Sequence, residues 1–408
     1  MSSINHTRKA QSVNRMTTRE NGPARRRNIF AFQLKPPPAL SAMIRRLRRS
    51  TKLQALTAAW LTCAGSGIAL CAEASGPPAL RAGMIGLDTS HVVAFSRLFN
   101  RAAPSSELSG IRVVAGYRGG TDLPASRDRV DKFTEQVRSI GVQIVDAIPA
   151  LLARVDVVLL ESVDARIHLA EAIQVIEAGK PLFIDKPMAG SLAEAVVIFD
   201  LARKHGVPCF STSSLRFASS TQNLRADPRV GQIVGAATWG PCEIQAGIPD
   251  LFFYGIHGIE TLFALMGTGC VSVARIGSRD TDQLTGLWDD GRIGTYRRIR
   301  GAAAKFGAMA FGRQGVVQIE NDGGYENLCR ELVRFFRTGQ PPVTAEETLE
   351  ILAFMEAADE SRRQNGTPVL LADAMAKARE EAPARLDEAK KRLATQRPVP
   401  RSPSPSIP

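Results

Sequence analysis

The sequence predicts an α/β protein: a doubly wound parallel sheet of Rossmann type, followed by an α+β domain with a mostly antiparallel sheet. Three observations carry this. From Leu80 to about Ser213, short continuously apolar runs alternate with helix-length segments, as parallel strands buried on both faces do. The first run turns through Gly86-Leu87-Asp88-Thr89-Ser90-His91 into a segment with Val92, Phe95 and Phe99 on one helical face. From about Leu215 the rhythm changes to strand-length pieces separated by turns.

The elements follow in order. LRAGMI is the opening strand, and Thr89 or Ser90 can cap the helix after it. IRVVAGY is a second strand, RDRVDKFTEQVRSIG a helix stopped by Gly141, and VQIVDA a third strand. IPALLARV is a short helix, and DVVLLES is an apolar and therefore central strand. ARIHLAEAIQVIEAG is a helix closed by Gly179. PLFID follows as a strand, Ser191-Leu-Ala-Glu194 is a capping box, and VPCFSTSS is the sixth strand. In the second domain Asp289-Asp290-Gly291 is a hairpin turn and residues 255–266 form a helix. Two later helices, YENLCRELVRFFRTG and AEETLEILAFMEAADESRRQNG, pack back on the body. The boundaries are 79–212 for the first domain and 213–372 for the second, with 373–408 a charged helix and disordered tail.

The net charge of +12 is confined to one end. Residues 1–52 hold 13 of the 52 Lys and Arg and one of the 40 acids, so the rest balances at 39 and 39. A neutral body has no electrostatic footprint for a phosphate backbone, which excludes nucleic acid as a partner. Residues 43–74 have a basic start, an apolar run and Ala72-Glu73-Ala74, the layout of a secretory signal peptide. Translation is then expected to start at Met43, with 1–42 disordered or a mis-assigned start, and the product exported to the periplasm or outside. The alternative is an uncleaved membrane anchor over 53–70. The six cysteines form no C-x-x-C pair and read as isolated thiols.

In such sheets ligands bind beyond the carboxyl ends of the strands. That edge carries Asp88 to His91, Arg118, Glu161, His168 and Asp185-Lys186-Pro187. Gly86 permits the turn, and the helix amides behind Thr89 and Ser90 suit an anion. Asp88 stands where a glycine would admit a pyrophosphate, with a charge of the repelling sign; His91 can meet a phosphate or the substrate, or simply pack. Arg118 can meet a 2′-phosphate or be a solvated charge. Lys186 can exchange a proton with a substrate hydroxyl, or be paired with a neighbouring acid. His257 and Glu260 share one face of the second-domain helix. Spacing supports no metal set.

The Rossmann pattern, Gly179-Lys180-Pro181-Leu-Phe-Ile-Asp185-Lys186-Pro187 and a Gly-x-His-x-x-acid helix together resemble the glucose-fructose oxidoreductase / inositol dehydrogenase / MocA (Gfo/Idh/MocA) family over about residues 80–370. The resemblance implies a catalytic pair of Lys186 and His257. It implies NAD or NADP held by Gly86, Asp88, Thr89, Ser90, His91, Arg118, Glu161, His168, Asp185 and Pro187, with Arg118 leaning the choice to NADP. It also implies hydride transfer at a secondary alcohol of a sugar or cyclitol, and a homo-oligomer. Two departures stand out: Asp88 in the glycine turn, and Phe253 where the family has an aspartate before its histidine. They favour the rival reading, a non-catalytic carbohydrate- or nucleotide-binding protein on the same fold. Export suits a third, an NAD-assisted sugar epimerase or glycosidase in which the cofactor recycles in place.

Overall fold

A computed structural model of the chain describes residues 77–395 apart from 104, 302 and 303. The predicted signal segment 43–74, the stretch 1–42, the alternative anchor 53–70 and the end of the tail lie outside these residues. Among the described residues, no helix is long and apolar enough to cross a membrane.

The first sheet is built from β1 (Leu80–Ile85), β2 (Ile111–Tyr117), β3 (Gln143–Val145), β4 (Val157–Leu160), β5 (Leu182–Asp185) and β6 (Cys209–Thr212). All its pairings are parallel, and the order is β3-β2-β1-β4-β5-β6. The inner strands β4 and β5 are buried at every residue, which is why they read as apolar runs, and the edge strand β6 is covered as well. The connecting helices are α1 (Ser90–Asn100), α2 (Pro124–Arg127), α3 (Val130–Ser139), α4 (Ile148–Leu152), α5 (His168–Glu177) and α6 (Leu192–His205). The helix predicted over RDRVDKFTEQVRSIG starts at Val130 as α3, and the short α2 precedes it in a stretch for which no helix was expected. At α6 the Ser191 hydroxyl accepts from Glu194 N–H (3.2 Å), while Glu194 Oε2 accepts from Gly190 N–H (3.0 Å). That is the predicted capping box moved by one residue on its return arm.

After α7 (Ser219–Arg225), the chain lays down β7 (Ile233–Pro241), α8 (Gly255–Met266), β8 (Cys270–Gly277), β9 (Thr281–Trp288), β10 (Ile293–Ile299), β11 (Gly307–Gly312) and β12 (Val316–Glu320). It ends in α9 (Glu326–Thr338), α10 (Ala345–Arg363), β13 (Val369–Leu370) and α11 (Leu371–Thr395). The second sheet has the order β12-β11-β7-β10-β9-β8-β13. Every pairing is antiparallel except β7 with β10.

α8 is buried along its whole length against this sheet. Gly258 permits the close approach, since a Cβ there would collide with the ring of Tyr296. α9 inserts Leu328, Leu332, Phe335 and Phe336 into the core beneath β1 and β2. Phe210 of β6 meets Phe335 edge-on, with ring centroids 4.6 Å apart. The end of β6 meets α8 through Thr212 and Ser213, which contact Glu260 and His257.

Candidate active site

The turn after β1 is set by Gly86, whose φ of +82° is left-handed. A Cβ there would stand 2.5 Å from the backbone of Ser162, in the loop after β4. Thr89 caps α1, its hydroxyl accepting from His91 N–H at 3.2 Å. Ser90 is exposed on the first turn.

Asp88 corrects an expectation. Its carboxylate does not project toward an incoming phosphate; it is fully buried. Oδ2 accepts from Ser126 Oγ (2.6 Å) and Oδ1 from Val163 N–H (2.8 Å). Burial raises its pKa, against these hydrogen bonds. Asp88 therefore braces the loops after β1, β2 and β4 from within. His168, also expected to help hold the cofactor, is turned into the protein. The ring is fully buried, with Nε2 2.7 Å from Ser162 O and Nδ1 3.2 Å from Met188 O. Burial lowers its pKa, so it is a neutral tie between the loops after β4 and β5. Arg118 is exposed and engaged with Asp131, Nη2 to Oδ1 at 2.7 Å, an ion pair worth little in solvent.

Lys186 follows the last residue of β5, and the Lys186–Pro187 peptide is cis. Among the described residues its ammonium pairs with no carboxylate; it lies 6.0 Å from the centroid of the Tyr254 ring. The lysine is thus not locked in a structural salt bridge. Its charge is felt by Glu161, Asp185 and His257. Beside it, burial alone would push the Asp185 carboxyl up, but His91 and Lys186 outweigh burial and hold it below the usual carboxylate range.

Glu161, expected at the cofactor edge, has no exposed surface. Burial, then repulsion by Asp185, drives its pKa well up. His91 Nδ1 lies 2.8 Å from Asp185 Oδ2 and 3.9 Å from Glu161 Oε2. The shorter contact lacks the alignment of a hydrogen bond. The ring of His91 is held by Tyr325 (centroids 4.9 Å apart) and Phe95 (5.8 Å). Tyr325, just before α9, carried no sequence signal because its place comes from packing.

His257 lies on the first turn of α8, buried. Its partner is not Glu260 but Ser213, whose Oγ is 2.7 Å from Nδ1. Ser213 Oγ already accepts from Leu215 N–H (3.2 Å), so its own hydrogen is free to donate to Nδ1. With the Ser213 hydroxyl donating, Nδ1 is the acceptor and the ring proton sits on Nε2. Burial, then the charges of Lys186 and His91, push the His257 pKa well down, so the ring is neutral. Glu260 turns instead to Arg216, at 2.6 Å, and Arg216 also reaches Glu347 at 2.7 Å. Arg216 bridges α8 and α10.

The departure at Phe253 is explained by the loop that carries it. Asp250, three residues earlier, is gripped by Arg275 of β8, Arg298 of β10 and Arg362 of α10. Both Arg275 and Arg298 are also held by the fully buried Asp282. This fixes Phe253 and Tyr254 across the site. The cleft they line with Thr89, Ser90, His91, Lys186 and Pro187 is about 50 Å³. A nucleotide pocket runs to roughly 300 Å³ or more, so this cleft by itself is smaller than a dinucleotide needs.

Residues 119–213 match the family model for the Gfo/Idh/MocA group, described as an oxidoreductase family with an NAD-binding Rossmann fold. Solved structures share the fold of this chain at low identity. A probable dehydrogenase from Thermotoga maritima is 18% identical, with a TM-score of 0.61 over 72% of this chain and 100% of that one. The scyllo-inositol dehydrogenase of Lactobacillus casei with bound NAD(H) and scyllo-inositol is 16% identical, with a TM-score of 0.58 over 72% and 99%. GenD2 from gentamicin A biosynthesis, in complex with NAD, is 17% identical, with a TM-score of 0.60 over 72% and 97%. No curated protein matches the sequence.

Proposed function

We propose that this protein is an NAD(P)-dependent oxidoreductase acting on a secondary alcohol of a cyclitol or sugar. The observation that carries the reading is the unpaired Lys186 ammonium at the carboxyl end of β5, in the field of a neutral, Ser213-oriented His257. Gly86 and the capped start of α1 would hold the pyrophosphate of the cofactor, and Arg118 could exchange Asp131 for a 2′-phosphate. A bound nicotinamide supplies the hydride acceptor or donor. Lys186 takes or returns the proton of the substrate hydroxyl, and His257 Nε2–H donates a hydrogen bond that orients the substrate oxygen. Tyr254 and Phe253 close over the pair and exclude water.

A cyclitol or sugar is proposed because inositol dehydrogenases are among the proteins that share the fold. Export through residues 43–74 is proposed from their basic, apolar and A-x-A order. A homo-oligomer is proposed from the second sheet. Exposed Val316, Phe311, Ile293 and Leu287 lie in one row across β12, β11, β10 and β9. Such an apolar row suits a partner surface.

The test is turnover of the full chain with NAD⁺ and NADP⁺ against a panel of inositols and sugars, followed by nicotinamide absorbance. Turnover is expected with at least one polyol and lost in Lys186→Ala. Equal turnover in Lys186→Ala would overturn the assignment. The non-catalytic reading, which the closed cleft favours, predicts no turnover with any of them.

A further inference from the structure

Three side chains meet at the carboxyl ends of β4 and β5 and the start of α1. His91 Nδ1, one oxygen of Glu161 and one oxygen of Asp185 all lie within 4.8 Å of one another. His91 belongs to α1 and Asp185 to β5, while Glu161 directly follows the last residue of β4, its backbone N–H bonded to Ile85 O of β1 at 2.7 Å. Glu161 has no exposed surface, and neither of its oxygens has a hydrogen-bond partner among the described residues. His91 Nδ1 is likewise buried without one.

Buried polar atoms are almost always satisfied. A proton on Glu161 removes its charge but not the problem, because its O–H would still need an acceptor and its second oxygen a donor. A cation among the three groups satisfies both at once and cancels the repulsion between Glu161 and Asp185.

We propose that His91, Glu161 and Asp185 form a binding site for one divalent first-row transition-metal ion. The donor set of one imidazole and two carboxylates suits Zn²⁺, Mn²⁺ or Fe²⁺; the imidazole disfavours Ca²⁺ and Mg²⁺. Ligand atoms at bond lengths of about 2.0–2.2 Å sit roughly 3–3.5 Å apart around an ion. The present separations of 2.8 and 3.9 Å bracket that range, so small side-chain shifts close the site. Tyr325 and Phe95 fix the plane of the His91 ring, as metal-bound imidazoles require. The cleft lined by Thr89, Ser90, His91 and Lys186 gives the ion a path to the His91 ligand. Chain spacing conceals such a site, because its ligands are brought together only by the strand order.

The test is a titration of the full chain, stripped with chelator and free of nucleotide, with Co²⁺ and with Zn²⁺. The visible spectrum of Co²⁺ reports nitrogen and oxygen coordination, and calorimetry reports the Zn²⁺ stoichiometry. One equivalent of each is expected, with affinity falling at least ~10-fold in Glu161→Gln and in His91→Asn. Circular dichroism checks that the variants fold, and two variants on different elements keep the test valid if one does not. Absence of binding at millimolar metal, or undiminished binding in the folded variants, would overturn the site. Because no nucleotide is present, either result stands apart from the hydride-transfer reading.

Discussion

Replacing Glu171 by Gln should stabilise the protein in alkali and much less in acid. Glu171 is buried on α5, and its Oε2 accepts from Ser162 Oγ at 2.7 Å, under the turn that carries Gly86. Burial, partly offset by that hydrogen bond, raises its pKa from 4.5 to about 8. The folded state therefore keeps a proton that the unfolded state loses above pH 4.5. The sign follows: the folded state binds more protons between these values, so stability falls as pH rises from 4.5 to about 8 and then levels. At about 1.4 kcal/mol per pKa unit the full penalty is on the order of 5 kcal/mol. Gln mimics the protonated acid in shape and keeps an acceptor for Ser162. Urea unfolding of both proteins across pH 5 to 9 measures the difference. The gap should widen with pH by at least about 2 kcal/mol, allowing for relaxation around the charge. A gap constant to within about 0.5 kcal/mol would show that Glu171 is not held protonated and would refute the reasoning.

Other outcomes follow from the same geometry. Gly86→Ala combines a left-handed backbone with a collision against Ser162, and should cost about 3 kcal/mol or more by urea unfolding. Asp282→Asn removes a fully buried partner of Arg275, Arg298 and Arg300, and should cost about 3–5 kcal/mol in the same assay. Because burial is outweighed by its arginines and the Asp282 pKa is lowered, that contribution is present above the ordinary carboxylate pKa and lost as pH falls through the folded value. Ser213→Ala frees the His257 ring, and should lower turnover about 10-fold while leaving nucleotide affinity nearly unchanged. Steady-state kinetics beside a binding titration separates the two.

The fold was readable because parallel strands buried on both faces leave an apolar run, and the helices between them carry their own stops. Gly141, Gly179 and Gly206 are all left-handed in the structure, each just past a helix. The short α2 was missed because its four residues, opened by Pro124, are too few to show a helical period. Site geometry was less readable, for reasons of distance along the chain. Ser213 serves His257 from 44 residues away. The arginines that explain Phe253 stand on three other elements. Local spacing suggested a His257–Glu260 pair, but Arg216 draws the acid away. For Asp88 the expected direction was wrong: the turn folds the carboxylate inward, onto Ser126 and Val163, where a glycine count cannot see it.

The central claim is that the edge holding Gly86, Thr89 and Lys186 takes a nicotinamide nucleotide. The most direct measurement is a calorimetric titration of the full chain with NADH and NADPH, repeated with Lys186→Ala and Gly86→Ala. The claim predicts one site per chain, affinity nearly intact in Lys186→Ala, and binding weakened strongly in Gly86→Ala. No binding of either nucleotide at millimolar concentration, or equal binding in Gly86→Ala, would contradict it.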